Sequence, residues 1–255
     1  YFLKLSNTGS RTYIKQFGGK LDLDSTFEFP WDTTRALEFA LFRTYAAPEI
    51  SRLLKHTGEL EFRTQKRYDD TVLILSEIIE HGFDSERGRA SLRRMNQQHG
   101  TYPIANEEML YVLTTFIYEP IRWMEKFAWR PMTREEKLGN FYYYRELGRR
   151  MGIRDIPDSY EALEQFNIDY ERSHFRYDPA NLAIGRATVN LMLGWYIPKF
   201  LFPLGRPLLY ALMDDGLLAA FNFPKQPGWL RGLAAFALKT RGRIIRLMPE
   251  RKKPR

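Results

Sequence analysis

The chain has four histidines, at positions 56, 81, 99 and 174, and none forms a close pair of the HExxH kind. A zinc or di-iron site built from protein alone is therefore poorly supported. His99 stands apart because of its neighbours. It closes the run Arg93-Arg94-Met95-Asn96-Gln97-Gln98-His99-Gly100. The stretch from Asp84 to Gln98 reads as a helix on which Leu92, Met95 and His99 recur at i, i+3 and i+7, a core-facing stripe that ends in an imidazole. Two chemistries fit such a stripe. The imidazole can be a hydrogen-bonded core residue, or it can ligate haem iron while nearby arginines hold the two propionates.

The element before it must supply the other wall. From Glu59 to Glu80 the positions Leu60, Thr64, Arg67, Thr71, Ile74 and Ile78 share one helical face, which turns an arginine and a threonine inward. A buried guanidinium needs acceptors. An internal carboxylate such as Asp70, a haem propionate, or bound oxygen with its water each meets that need, and the periodicity alone leaves the choice open.

These stretches occur in a recognisable order. Arg43-Thr44-Tyr45-Ala46-Ala47-Pro48-Glu49-Ile50-Ser51-Arg52-Leu53-Leu54 is followed by Lys66-Arg67-Tyr68-Asp69-Asp70-Thr71. Then come Arg94-Met95-Asn96-Gln97-Gln98-His99, Leu110-Tyr111-Val112-Leu113 and Glu119-Pro120-Ile121-Arg122-Trp123. From about Arg35 to Tyr177 the chain resembles the MpaB-type oxygenase family. That family includes the latex-clearing (rubber) oxygenases and the oxygenase that cleaves the prenyl side chain in mycophenolic acid biosynthesis. The resemblance implies an all-α, globin-like domain holding haem b, with His99 as iron ligand. It also implies oxidative cleavage or oxygenation, of dioxygenase type, on an apolar, unsaturated isoprenoid or lipid-like substrate. Arg67 and Thr71 match the family's arginine and threonine spaced four apart, and with Asp70 they are the residues expected beside the oxygen. Arg67, Arg93, Arg94 and Arg122 are the cations expected around the cofactor. Two departures matter. Asp70 stands where the rubber oxygenases place a lysine, so a lysine-capped iron is not expected. Asn96 replaces an arginine three residues before the histidine. For the family's glutamate base, Glu49 and Glu59 are in the right region without a clear match. A non-catalytic haem or lipid carrier of the same fold is the alternative.

Composition is compatible with that picture. The chain has 255 residues, 44% hydrophobic and 15% aromatic, enough for one substantial core. Without cysteine it can have no disulfide, iron–sulfur cluster or thiolate-ligated haem, and the redox compartment stays undetermined. The net charge is +8 and the pI near 9.5. Lys239, Arg241, Arg243, Arg246, Arg251, Lys252, Lys253 and Arg255 concentrate that charge behind an aromatic stretch containing Trp195, Tyr196, Phe200, Phe202, Trp229 and Phe236. No groove-reading helix or zinc spacing points to nucleic acid. A membrane surface is the expected partner, at the endoplasmic reticulum in a eukaryote, with a solvated basic helix as the alternative. No apolar run reaches the ~20 residues of a spanning helix. The chain begins at Tyr1 rather than methionine, so the expectation is a processed or trimmed form.

The expected organisation is an extension over residues 1–31, a haem-binding oxygenase-like domain over 32–190, and an apolar, basic region over 191–255. Helices are expected from Asp32 to Tyr45 and from Pro48 to near Gly58. Another should be capped by Asn106 and kinked at Pro120, followed by one from the capping box Thr133-Arg134-Glu135-Glu136 to about Met151. The last two run from Ser159 to His174 and from Asp178-Pro179 towards Trp195.

Overall fold

The computed structural model describes residues 29–248 and is all-helical over that span. The terminal extension before Phe29 and the cations from Arg251 to Arg255 lie outside the described residues. The helices are α1 Pro30–Thr44, α2 Pro48–Thr57, α3 Glu59–Phe62, α4 Thr64–His81, α5 Glu86–Gly100, α6 Asn106–Phe127 and α7 Arg134–Arg150. They continue as α8 Tyr160–His174, α9 Pro179–Gly194, α10 Phe202–Tyr210, α11 Asp215–Phe221 and α12 Gly228–Arg246.

Local chemistry sets most of these boundaries. Pro30, Pro48 and Pro179 occupy the first turns of their helices, where a missing N–H costs nothing. Thr133 Oγ1 accepts from Glu136 N, while the Glu136 carboxylate accepts from Thr133 N, and the pair starts α7. Gly58 ends α2 at φ +68°, a left-handed conformation that glycine adopts without strain.

Two boundaries differ from the sequence expectation. The helix expected from Glu59 to Glu80 is broken at Arg63 (φ −132°, ψ 40°), which separates α3 from α4. Asn106 does not cap α6; Ala105 holds the cap position and its N–H is met by the Glu108 carboxylate at 3.3 Å. The Asn106 amide instead clamps the backbone of Arg154, accepting at 2.8 Å and donating at 3.0 Å. α6 runs on through Pro120.

The long apolar α6 is the axis of the domain. α1, α7, α8 and α12 pack on it, while α4 pairs with α5 and α9 lies against α2 and α3. Tyr118, Ile117, Phe42, Phe141 and Ile184 are fully buried between them. Residues after 191 share this core: Phe202, Tyr210, Leu217, Phe221 and Phe223 belong to the same buried cluster. At Gly185 a Cβ would stand 2.5 Å from the Phe221 ring, so only glycine lets α9 and α11 approach this closely. Among the described residues no helix is long and apolar enough to cross a membrane.

Candidate active site around His99

α4 and α5 face a cavity of about 420 Å³ whose other walls come from α1, α2, α3, α6 and α9. His99, on the last turn of α5, and Arg67, Asp70 and Thr71, on α4, all line it. No other histidine is among its lining residues. Leu41, Leu53, Leu54, Met109, Val112 and Met192 make much of the remaining wall apolar.

His99 Nδ1 is buried and has no hydrogen-bond partner among the described residues. Burial, followed by the nearby Arg67 guanidinium, holds the imidazole pKa below its ordinary value. The ring is therefore neutral at pH 7, with a lone pair available to a metal or a proton donor. The other imidazoles lie away from this cavity. His81 Nε2 is also buried without a hydrogen-bond partner among the described residues, but it lies 3.5 Å from Glu77 and outside this cavity; His174 stacks on Tyr170 with centroids 4.0 Å apart, and His56 is in solvent.

Arg67 donates from Nη1 to the Thr71 hydroxyl, which itself donates to the Arg67 carbonyl at 3.0 Å. No carboxylate of the described residues pairs with Arg67. Asp70 is taken by Lys66 at 2.7 Å, and that hydrogen bond holds its carboxyl below the usual range. Arg63 and Lys66 line the same wall but are paired with Glu59 at 3.4 Å and Asp70 at 2.7 Å, which line it too, so Arg67 is the cavity cation that has no ion-pair partner among the described residues.

The remaining expected cations are placed elsewhere. Arg93 and Arg94 are exposed and do not line the cavity, although Arg94 is close enough to Asp70 to contribute to its lowered pKa. Arg122 lies at a second cavity, of about 360 Å³, bonded to Glu119 at 3.2 Å and Asn167 at 2.8 Å. That cavity centres on Arg43, whose Nε stands 2.9 Å from Glu171 and 3.3 Å from Glu119 while Nη1 meets Asp214. Burial opposes the Arg43 charge, but the three carboxylates outweigh it and raise its pKa further. Of the two glutamates in the region of the family base, Glu59 lines the His99 cavity, whereas Glu49 is bound to Arg176 outside it.

Sequence reasoning missed Glu38. It lines the His99 cavity from α1 with its side chain only 2% exposed, and one oxygen receives Arg35 and the Tyr68 hydroxyl, the latter at 3.2 Å. Its other oxygen, Oε2, is buried without a partner. Burial lifts the carboxyl to about 7, against the pull of Arg35 and Tyr68. The signal was present: Glu38 lies four and seven residues before the buried Phe42 and Tyr45, on their face of α1.

Comparison with known proteins gives the relatives of this chain. The catalytic-domain pattern described as ER-bound oxygenase mpaB/B'/Rubber oxygenase matches residues 39–242. The chain is 31% identical over 240 residues to the ER-bound oxygenase mpaB' of Penicillium brevicompactum, covering 87% of this chain and 56% of that protein. It is 30% identical over 214 residues to ER-bound oxygenase mpaB of Penicillium roqueforti, covering 77% and 72% respectively. A third relative, ER-bound oxygenase mpaB of Penicillium brevicompactum, is 32% identical over 188 residues, 66% of this chain and 48% of that protein. The chain thus spans about half the length of two of these relatives. On the extent of these matches, the chain belongs to the ER-bound oxygenase mpaB/B' and rubber oxygenase catalytic-domain family.

Proposed function

We propose that this protein is a haem-b-dependent oxygenase, of dioxygenase type, acting on an apolar, unsaturated isoprenoid or lipid-like substrate at a membrane. The observation that carries the reading is the neutral imidazole of His99 on a largely apolar cavity, one nitrogen buried without a partner, beside an arginine with no carboxylate of its own. That donor set fits a haem: an imidazole for the iron and the Arg67 guanidinium for a carboxylate at the cofactor's edge. In this reading the domain is globin-like, and His99 would hold the iron from the cavity wall formed by α4 and α5.

Haem iron, when bound, supplies the binding and activation of dioxygen. The chain supplies the surroundings. Arg67 and Thr71, already bonded to each other, present a guanidinium and a hydroxyl to an oxygen atom or a propionate. Leu41, Leu54, Met109 and Met192 exclude water and orient an apolar substrate. The relatives' description as ER-bound supports a membrane location of the same kind. The ultraviolet–visible spectrum of freshly purified protein, followed by oxygen uptake with a polyisoprenoid and with a saturated hydrocarbon, tests the proposal. A Soret band and uptake only with the unsaturated compound are expected; a protein that neither contains nor takes up haem overturns it.

A further inference from the structure

α12 has two apolar faces, and only one is used inside the domain. The inner face packs so closely at Gly242 that a Cβ would lie 2.8 Å from the Phe127 carbonyl oxygen. Arg241 reaches both carboxylate oxygens of Asp32 at 3.0 Å and stacks 3.8 Å over the Trp31 ring. The outer face repeats Trp229, Leu233, Phe236, Ile244 and Leu247 at helical spacing, and all five stand in solvent. Trp229 is 71% exposed and Leu247 87%, which decides that nothing within the described residues covers them. Leu204 and Leu208 of α10, which touches α12, and Phe200 just before it are also exposed. A contiguous apolar surface of this kind marks an interaction site.

The charge identifies the occupant. From residue 179 to 213, and again from 216 to 249, the sequence contains no aspartate or glutamate. Lys199, Lys239, Arg243 and Arg246 are exposed along this region and form no ion pair among the described residues. An apolar stripe flanked by free cations, without an acid in the same segments, matches an anionic phospholipid surface: aromatic and aliphatic side chains enter the acyl boundary while ammonium and guanidinium groups meet phosphates.

We propose that the outer face of α12, with Phe200, Leu204 and Leu208, is an in-plane docking surface for an anionic bilayer. α12 lies on the membrane and does not cross it. The proposal specifies the surface for the membrane placement in the preceding reading, and it holds whether or not haem is bound. It also moves the attachment from the basic end of the chain to the middle of a helix that is integral to the fold.

Flotation of the full chain with vesicles of phosphatidylcholine and phosphatidylserine, and of phosphatidylcholine alone, is the test. Wild-type protein is expected with the anionic vesicles, with Trp fluorescence blue-shifted on binding. Trp229→Ser/Phe236→Ser should lose binding by on the order of tenfold or more with unchanged thermal unfolding. Lys239→Gln/Arg243→Gln should weaken binding at low salt and flatten its salt dependence. Equal flotation of wild-type and Trp229→Ser/Phe236→Ser protein overturns the assigned face and leaves membrane placement standing. Wild-type protein that floats with neither vesicle overturns both. Self-association lost in the same variant, without vesicle binding, assigns the face to a second copy and overturns the lipid assignment.

Discussion

Arg67 spends a hydrogen bond on Thr71, one turn along its own helix, while no carboxylate among the described residues forms an ion pair with it. Asp70, three residues on and close enough to feel the Arg67 charge, is held by Lys66 instead. A guanidinium left in this state on a cavity wall favours an incoming anion or oxygen. We expect Arg67→Ala and Thr71→Ala to lower turnover by tenfold or more while haem content falls less. Complete loss of haem in both variants, read from the Soret band, would make them anchors of the cofactor and not participants in oxygen chemistry.

His99→Ala should abolish stoichiometric haem retention and leave helical content intact. The ring is half-buried and forms no side-chain hydrogen bond among the described residues, only a contact with the Met95 backbone of its own helix, so its removal breaks no side-chain network. Pyridine haemochrome assay and far-ultraviolet circular dichroism measure the two effects separately. His56→Ala, His81→Ala and His174→Ala should retain haem, since none of these side chains lines the cavity.

Glu38 should make stability depend on pH in an unusual direction. Its carboxyl is raised from 4.5 to about 7 by burial, so the folded protein holds the proton more tightly than the unfolded chain. The stabilisation is complete below about 4.5 and is lost as pH rises towards 7, amounting to roughly 3 kcal/mol at most. Glu38→Gln should remove this slope. Denaturant titrations at pH 5 and pH 7.5 that differ equally for wild type and variant would refute the assignment to Glu38.

Gly88 fixes the start of the helix that carries His99. A Cβ there would lie 1.9 Å from the Gly82 carbonyl oxygen, whose other neighbour is the Ser85 hydroxyl at 3.0 Å. Gly88→Ala is expected to destabilise the protein by about 2–4 kcal/mol, lowering Tm by roughly 5–10 °C. Calorimetry checks this; an unchanged Tm would mean that the Gly82–Ser85 turn yields at no cost.

Most of the helices were legible because their signals are local: Pro48 with Gly58, Thr133 with Glu136, and Asp178 with Pro179 each write a boundary within a few residues. The break at Arg63 was not, since Leu60 and Thr64 keep a helical apolar spacing across it and the periodic pattern runs on. In the site, one helical face brought Arg67 and Thr71 together, and the order of motifs added His99. Where Arg93, Arg94 and Arg122 would fall was not readable, because that depends on how α5 and α6 are rotated against their neighbours. Long-range packing also decides that Arg122 joins Asn167 and Glu119. The exposed stripe of α12 was half-visible: its aromatics and cations were evident, but not that the inner face of the same helix is sealed against α6.

The cluster at Arg43 constrains how this domain can vary. One guanidinium from α1 answers Glu119 of α6, Glu171 of α8 and Asp214 at the head of α11. Replacing that arginine leaves Glu171 and Asp214 without an ion-pair partner among the described residues, while Glu119 keeps Arg122 at 3.2 Å. Departures at position 43 are therefore expected to come with changes at positions 171 and 214. A lineage that lost the arginine would be expected to have neutralised its acids first.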